Sequence, residues 1–196
     1  MPATIRLPLT FDPRLLHADL DRVAAEEWMP HYNKNDYEGQ WRVAGLRTLG
    51  GSVRRILSSP AANVEEYSAT PLLVRCPYFQ QVLAAFECPV GSARLMSLGA
   101  GSQIREHSDS TIEYKDNDAR LHIPVATNPA VEFYLARQRV VMNEGETWYL
   151  DFSEPHSVVN AGTTDRVHLV LDCVVNDWLR ELLLADAAKA GADSLA

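Results

Sequence analysis

Two stretches of the chain alternate in the same way. Residues 120–125 read RLHIPV and residues 166–171 read RVHLVL. Side chains two apart in a strand share a face. In the first stretch Leu121, Ile123 and Val125 therefore lie opposite Arg120 and His122. In the second, Val167, Leu169, Leu171 and Cys173 lie opposite Arg166 and His168. Each apolar face needs a packing partner. The Arg/His face is either solvated, as on a surface layer, or turned into a cavity. Short runs of this kind fill residues 92–175: ARLMSL, SQIREH, ARLHIPVA, VEFYLA, RVVM, ETWYLDF, HSVVN and RVHLVLDCVV. Their regular spacing predicts a sandwich or jelly roll, whose inward polar faces make a ligand cavity. Asn143, Glu144 and Gly145 read as a hairpin turn between two of the runs.

Outside this region the period changes to that of helices. Asp12-Pro13 reads as an N-cap followed by Pro at the first helical position, with Leu16, Leu20, Val23 and Ala24 forming a stripe. A second helix starts near Pro77, with Phe79, Val82, Leu83 and Phe86 on one side. A third runs from about Asn176 through Leu179, Leu182 and Leu183, and the Ala-rich ADAAKAGADSLA reads as its fraying end and tail. WRVAGL and the N-terminal IRLPL are candidates to extend the sheets. The expectation is one mainly β domain over residues 1–196. It has a helical N-terminal part to about residue 90, a jelly-roll core over about 91–175, and a C-terminal helix and tail over 176–196.

Composition supports a self-sufficient core: 46% of the 196 residues are hydrophobic and 22% charged. A chain of this length buries roughly 70% of its unfolded surface. The net charge of −8 argues against nucleic acid and anionic membrane surfaces, which reward clustered Lys and Arg. Cys76, Cys88 and Cys173 are odd in number, scattered and without a CxxC. That pattern fits reduced thiols and a cytoplasmic protein. No signal-peptide pattern opens the sequence, and no apolar run reaches the length of a membrane span.

The candidate chemistry starts at His107 and Asp109, two positions apart in REHSDS. In a strand they lean into one volume as a hydrogen-bonded pair, half of a proton relay, or two metal ligands. His122, His168 and His156, the last at the exit of the SEP loop into HSVVN, add imidazoles to the same sheet system.

The ordered combination of HSD (107–109), RLHIPVATNP (120–129) and VVMNEGETWYLDFSEPHSVVNAGTTDRVHLVLD (140–172) resembles the aspartyl/asparaginyl beta-hydroxylase family. NKNDYEGQWRVAGL matches that family's aromatic-Gly-x-Trp stretch. The resemblance implies a double-stranded beta-helix (jelly roll, cupin-like) with flanking helices, and an Fe(II)- and 2-oxoglutarate-dependent hydroxylase that uses O2. It implies His107, Asp109 and His156 as iron ligands, and Arg166 as the partner of the distal carboxylate of 2-oxoglutarate. It further implies that His122 helps to hold the cosubstrate and that Arg120 lies on the substrate side. The retained Asp109 is similar to small members that hydroxylate free amino acids. The implied acceptor is an amino acid, a derivative, or an aspartyl/asparaginyl residue of a peptide. Two His and one carboxylate on one face of a metal suit non-haem Fe(II) oxygenases.

Two rival readings share the motif. The same three residues could hold Zn2+ in a hydrolase, which has no general need of Arg166. A jelly-roll module could also bind or sense 2-oxoglutarate without turnover. Among minor features, His168 is assigned a supporting role beside Arg166, and Asp151 and Asn160 are candidates to orient His156. His31 is expected at the surface, Trp41 in packing, and at least one of Trp148 and Tyr149 in the core. Arg94 receives no role. GAGS at 99–102 is a turn, since no Lys-Ser/Thr follows it.

Overall fold

The computed structural model describes residues 1–52, 64–109 and 117–193. Its strands are β1 (Thr4–Thr10), β2 (Met29–Pro30), β3 (Tyr37–Glu38), β4 (Trp41–Leu49), β5 (Tyr67–Ala69), β6 (Val90–Leu98), β7 (Ser102–His107), β8 (Asp118–Ala126), β9 (Val131–Leu135), β10 (Gln138–Arg139), β11 (Glu146–Leu150), β12 (His156–Asn160) and β13 (Arg166–Val174). The helices are α1 (Pro13–Leu20), α2 (Pro71–Arg75), α3 (Pro77–Ala84) and α4 (Asp177–Asp193). They form an antiparallel large sheet in the order β1-β11-β8-β13-β6-β4-β2, with β5 on β4, and a small sheet in the order β10-β9-β12-β7-β3. This is the jelly roll that the alternation predicts.

The two alternating stretches, β8 and β13, lie side by side at the centre of the large sheet, with Leu121 opposite Leu171 and Arg120 opposite Asp172. Their apolar faces pack outward into one core with Ala44, Leu46, Leu95, Leu72 and Phe79, beneath the helices. Their polar faces point inward. A second apolar cluster, with Trp41, Leu98, Ile104, Phe133, Leu150, Phe152 and Val158, fills the space between the sheets. The central strands are thus covered on both sides, and their Arg and His side chains are buried rather than solvated.

The helices are fixed by their ends. Asp12 accepts from Arg14 N at 2.9 Å, and Pro13 starts α1 as expected. The buried Asp19 on α1 accepts from Tyr78 N at 2.7 Å and Phe79 N at 2.8 Å. It satisfies two amide donors at the start of α3, which has no capping side chain of its own.

Three expectations change. The part up to about residue 90, expected to be helical, also holds β1 and β4, through which IRLPL and WRVAGL extend the large sheet as expected of those two stretches. α2 is an additional short helix, with Thr70 as N-cap and Pro71 at N1. Asn143–Gly145 is a turn but not a hairpin, because β10 pairs with β9 whereas β11 pairs with β1 and β8. The chain crosses there between sheets. Gly145 has φ +81°, and a Cβ on it would drive into the Phe11 carbonyl oxygen. Only Gly suits that position.

Candidate active site

Buried polar side chains gather at two ends of the space between the sheets. At one end β12 pairs with β7, so that His156 lies directly opposite His107. Their ring centroids are 4.3 Å apart. Asp109 follows β7 by two residues, and its backbone N–H donates to the Phe152 carbonyl at 2.8 Å. One ligand atom from each of His107, Asp109 and His156 lies within 4.8 Å of the others. His107 Nδ1 donates to the Arg105 carbonyl at 2.8 Å, and His156 Nδ1 donates to the Glu154 carbonyl at 3.0 Å. Each bond fixes the tautomer and leaves Nε2 as a lone pair. Burial, with His107 and Arg120 nearby, pulls the His156 pKa down to about 4, so its ring is neutral at neutral pH. This donor set fits a divalent cation such as Fe(II) with open positions.

Asp109 is also bound from behind. Arg120 Nη1 donates to Asp109 Oδ2 at 2.9 Å, while Asp109 Oδ1 lies 3.8 Å from His107 Nε2. Arg120 Nε donates to Asp172 Oδ1 at 2.7 Å, and Arg94 Nη1 donates to Asp172 Oδ2 at 2.6 Å. Asp172 has no exposed surface. Burial alone would raise its pKa, but the two guanidiniums outweigh this and hold it well below the usual carboxylate range.

The other end centres on Arg166, which is 4% exposed and has no carboxylate partner among the described residues. Burial pulls its pKa down to about 9. Its Nη2 donates to His168 Nδ1 at 3.1 Å, which assigns the lone pair of His168 to that nitrogen. His122 Nδ1 lies 3.2 Å from the same atom. Both rings are held neutral by burial and by Arg166. A cavity of about 430 Å3 opens here, lined by Val131, Phe133, Val140, Met142, Arg166 and His168. An uncompensated buried guanidinium at a cavity wall fits a carboxylate ligand.

The structure thus brings His107, Asp109 and His156 together, and puts Arg166 beside His168 and His122. Arg120 is at the site but committed to Asp109 and Asp172. Asp151 and Asn160 do not orient His156. Asp151 accepts from Ser153, and Asn160 pins the carbonyls of Leu98, Gly99 and Thr164. His31 is half-buried rather than exposed, stacked on Trp41 at 3.5 Å. Burial first, and then Arg94, lowers its pKa to about 4. Tyr149 is core, as expected of one of the pair. Asp172, absent from the candidates, continues the inward face 166, 168, 170 along β13.

The family model described as aspartyl/asparaginyl beta-hydroxylase matches residues 12–175. The chain belongs to that family. The chain is similar to L-proline cis-4-hydroxylase of Rhizobium meliloti (strain 1021), 29% identical over 167 residues. That match covers 83% of this chain and 57% of the relative, so the chain spans little more than half the relative's length. The fold is similar to a 2OG-Fe(II) oxygenase family oxidoreductase from Burkholderia pseudomallei, with TM-score 0.56, 14% identity and 88% and 85% of the two chains covered. It is also similar to a Pseudomonas putida prolyl-4-hydroxylase, with TM-score 0.52, 14% identity and 89% and 93% covered. Among the described residues no helix is long and apolar enough to cross a membrane.

Proposed function

We propose that the protein is an Fe(II)- and 2-oxoglutarate-dependent dioxygenase that hydroxylates an unactivated C–H bond of a free amino acid or small derivative, releasing succinate and CO2. One observation carries this reading. A His-Asp-His cluster with free Nε2 lone pairs is joined, through Phe152, His122 and His168, to a buried guanidinium that has no carboxylate partner among the described residues. His107, Asp109 and His156 would hold the metal. When bound, iron with 2-oxoglutarate and O2 supplies the oxidant through oxidative decarboxylation.

The rest is positioning by the protein. Arg166 would receive the far carboxylate of 2-oxoglutarate in a planar fork that Lys cannot copy. His168 aims that fork by accepting from Nη2. His122, neutral and 5.0 Å from Phe152 between ring centroids, walls the cosubstrate from the outer core without adding charge. On the acceptor side Arg120 would border the pocket, with its guanidinium already bound to Asp172 and Asp109. The relative named for L-proline makes proline the first acceptor to try; an aspartyl or asparaginyl peptide is the other. The free thiols of Cys76, Cys88 and Cys173 fit a reducing cytoplasm, and the net charge of −8 fits a small-molecule partner rather than nucleic acid or a membrane surface.

The test is a turnover screen with Fe(II), 2-oxoglutarate and O2 across free amino acids and peptides. Succinate is expected together with a product one oxygen atom heavier. Metal-dependent hydrolysis with Zn2+, or cosubstrate binding with no succinate under any acceptor, would overturn the reading.

A further inference from the structure

We propose that Asp172 is a positioning residue of the metal site, holding Arg120 so that Arg120 occupies one oxygen of Asp109 and leaves only the other for the metal. This rests on the metal reading above and adds a positioning residue to it.

The geometry is a chain of rigid forks. Arg94 Nη1 is held by Ser92 Oγ at 3.1 Å and by Asp172 Oδ2 at 2.6 Å. Asp172 meets Arg120 side-on, accepting from Nε at 2.7 Å through Oδ1 and from Nη2 at 3.3 Å through Oδ2. A guanidinium is planar, so two bonds on one edge fix its plane and the direction of the third nitrogen. That nitrogen, Nη1, donates to Asp109 Oδ2 at 2.9 Å. Arg120 and Asp172 are cross-strand partners on β8 and β13, and Arg94 is on the adjoining β6. The anchor therefore lies on paired strands. Asp109 lies past the end of β7, with its backbone N–H on the Phe152 carbonyl.

The chemical consequence concerns denticity. A free aspartate can offer both oxygens to a cation and close an extra coordination position. With Oδ2 held by Arg120, Asp109 offers Oδ1 alone, which is the oxygen turned to His107. Two imidazoles and one monodentate carboxylate leave the other positions open for ligands.

The test uses Co(II), whose visible absorption reports coordination number, titrated into the metal-free protein. Asp172→Asn and Arg120→Lys should each weaken Co(II) binding roughly 10- to 100-fold, the range for residues that orient a ligand. Both should shift the absorption in the same direction, and the double variant should be no weaker than Arg120→Lys. A folded Asp172→Asn with wild-type affinity and spectrum overturns the proposal. So does a double variant in which the two losses multiply, since Asp172 would then act by another route. Should Asp172→Asn fail to fold with two unbalanced guanidiniums, Arg120→Lys decides. It keeps the charge and loses the side-on pair, and wild-type Co(II) behaviour in it overturns the role. A wild-type protein that binds no Co(II) is a separate result, which removes the metal reading itself and this role with it.

Discussion

Arg120 and Arg166 project from the inward faces of neighbouring strands, and each is more than nine-tenths buried. Burial acts on both to lower the pKa. At Arg120 the carboxylates of Asp172 and Asp109 outweigh it, and the pKa rises. At Arg166 nothing offsets it, and the pKa falls to about 9. The first guanidinium is balanced by the protein and serves as architecture. The second is left for a ligand to balance. The site therefore divides into an end that the fold completes and an end that a bound anion would complete. Removing a side chain should cost ligand affinity at the second and metal geometry at the first.

The sharpest way to break this contrast is Arg166→Ala. It should raise the 2-oxoglutarate KM roughly 100- to 1,000-fold, the scale of a lost buried ion pair, with metal binding nearly unchanged. Equal losses of both would erase the division. Asp109→Ala should weaken metal binding by roughly 100-fold or more, above the effect of residues that only orient ligands. Calorimetry with Co(II) or Mn(II) measures it, and a fully active variant would remove Asp109 from the ligand set.

The imidazoles sharpen the comparison through pH. His156 stays neutral in the fold down to about 4, whereas unfolded it takes a proton near 6.5. Between these values the unfolded chain binds more protons, so stability rises with pH. The metal-free protein should hold its full stability above pH 6.5 and lose roughly 3 kcal/mol from this group as pH falls to 4. Denaturant titrations with chelator present measure this, and His156→Gln should flatten the dependence. His31 acts in the same direction. The smallest expected effect lies outside the cavity. Gly145→Ala, at φ +81° against the Phe11 carbonyl, should cost roughly 1–3 kcal/mol of stability and leave both affinities unchanged.

The regular spacing of the short strands was enough to read a sandwich or jelly roll, whereas the alternation of β8 and β13 left their polar face either solvated or inward, and only the cover on both sides of these central strands decides for inward. The HSD motif and His156 were legible because the family's ordered residues were present together. The Arg94–Asp172–Arg120–Asp109 chain was not legible. Arg94 and Asp172 are 78 positions apart, and only the order β8-β13-β6 brings them into contact. His31 was misread for the same reason, since its burial depends on stacking against a strand ten residues on. The turn at Asn143–Gly145 was read locally as a hairpin, whereas the pairing of β10 and β11 is decided by two different sheets.

The most direct measurement is an anaerobic crystal structure with Fe(II) and 2-oxoglutarate. The metal should sit between His107 Nε2, His156 Nε2 and Asp109 Oδ1, with the far carboxylate of 2-oxoglutarate on the Arg166 fork. A metal bound elsewhere, or a cosubstrate whose far carboxylate leaves Arg166 unpaired, would contradict the account.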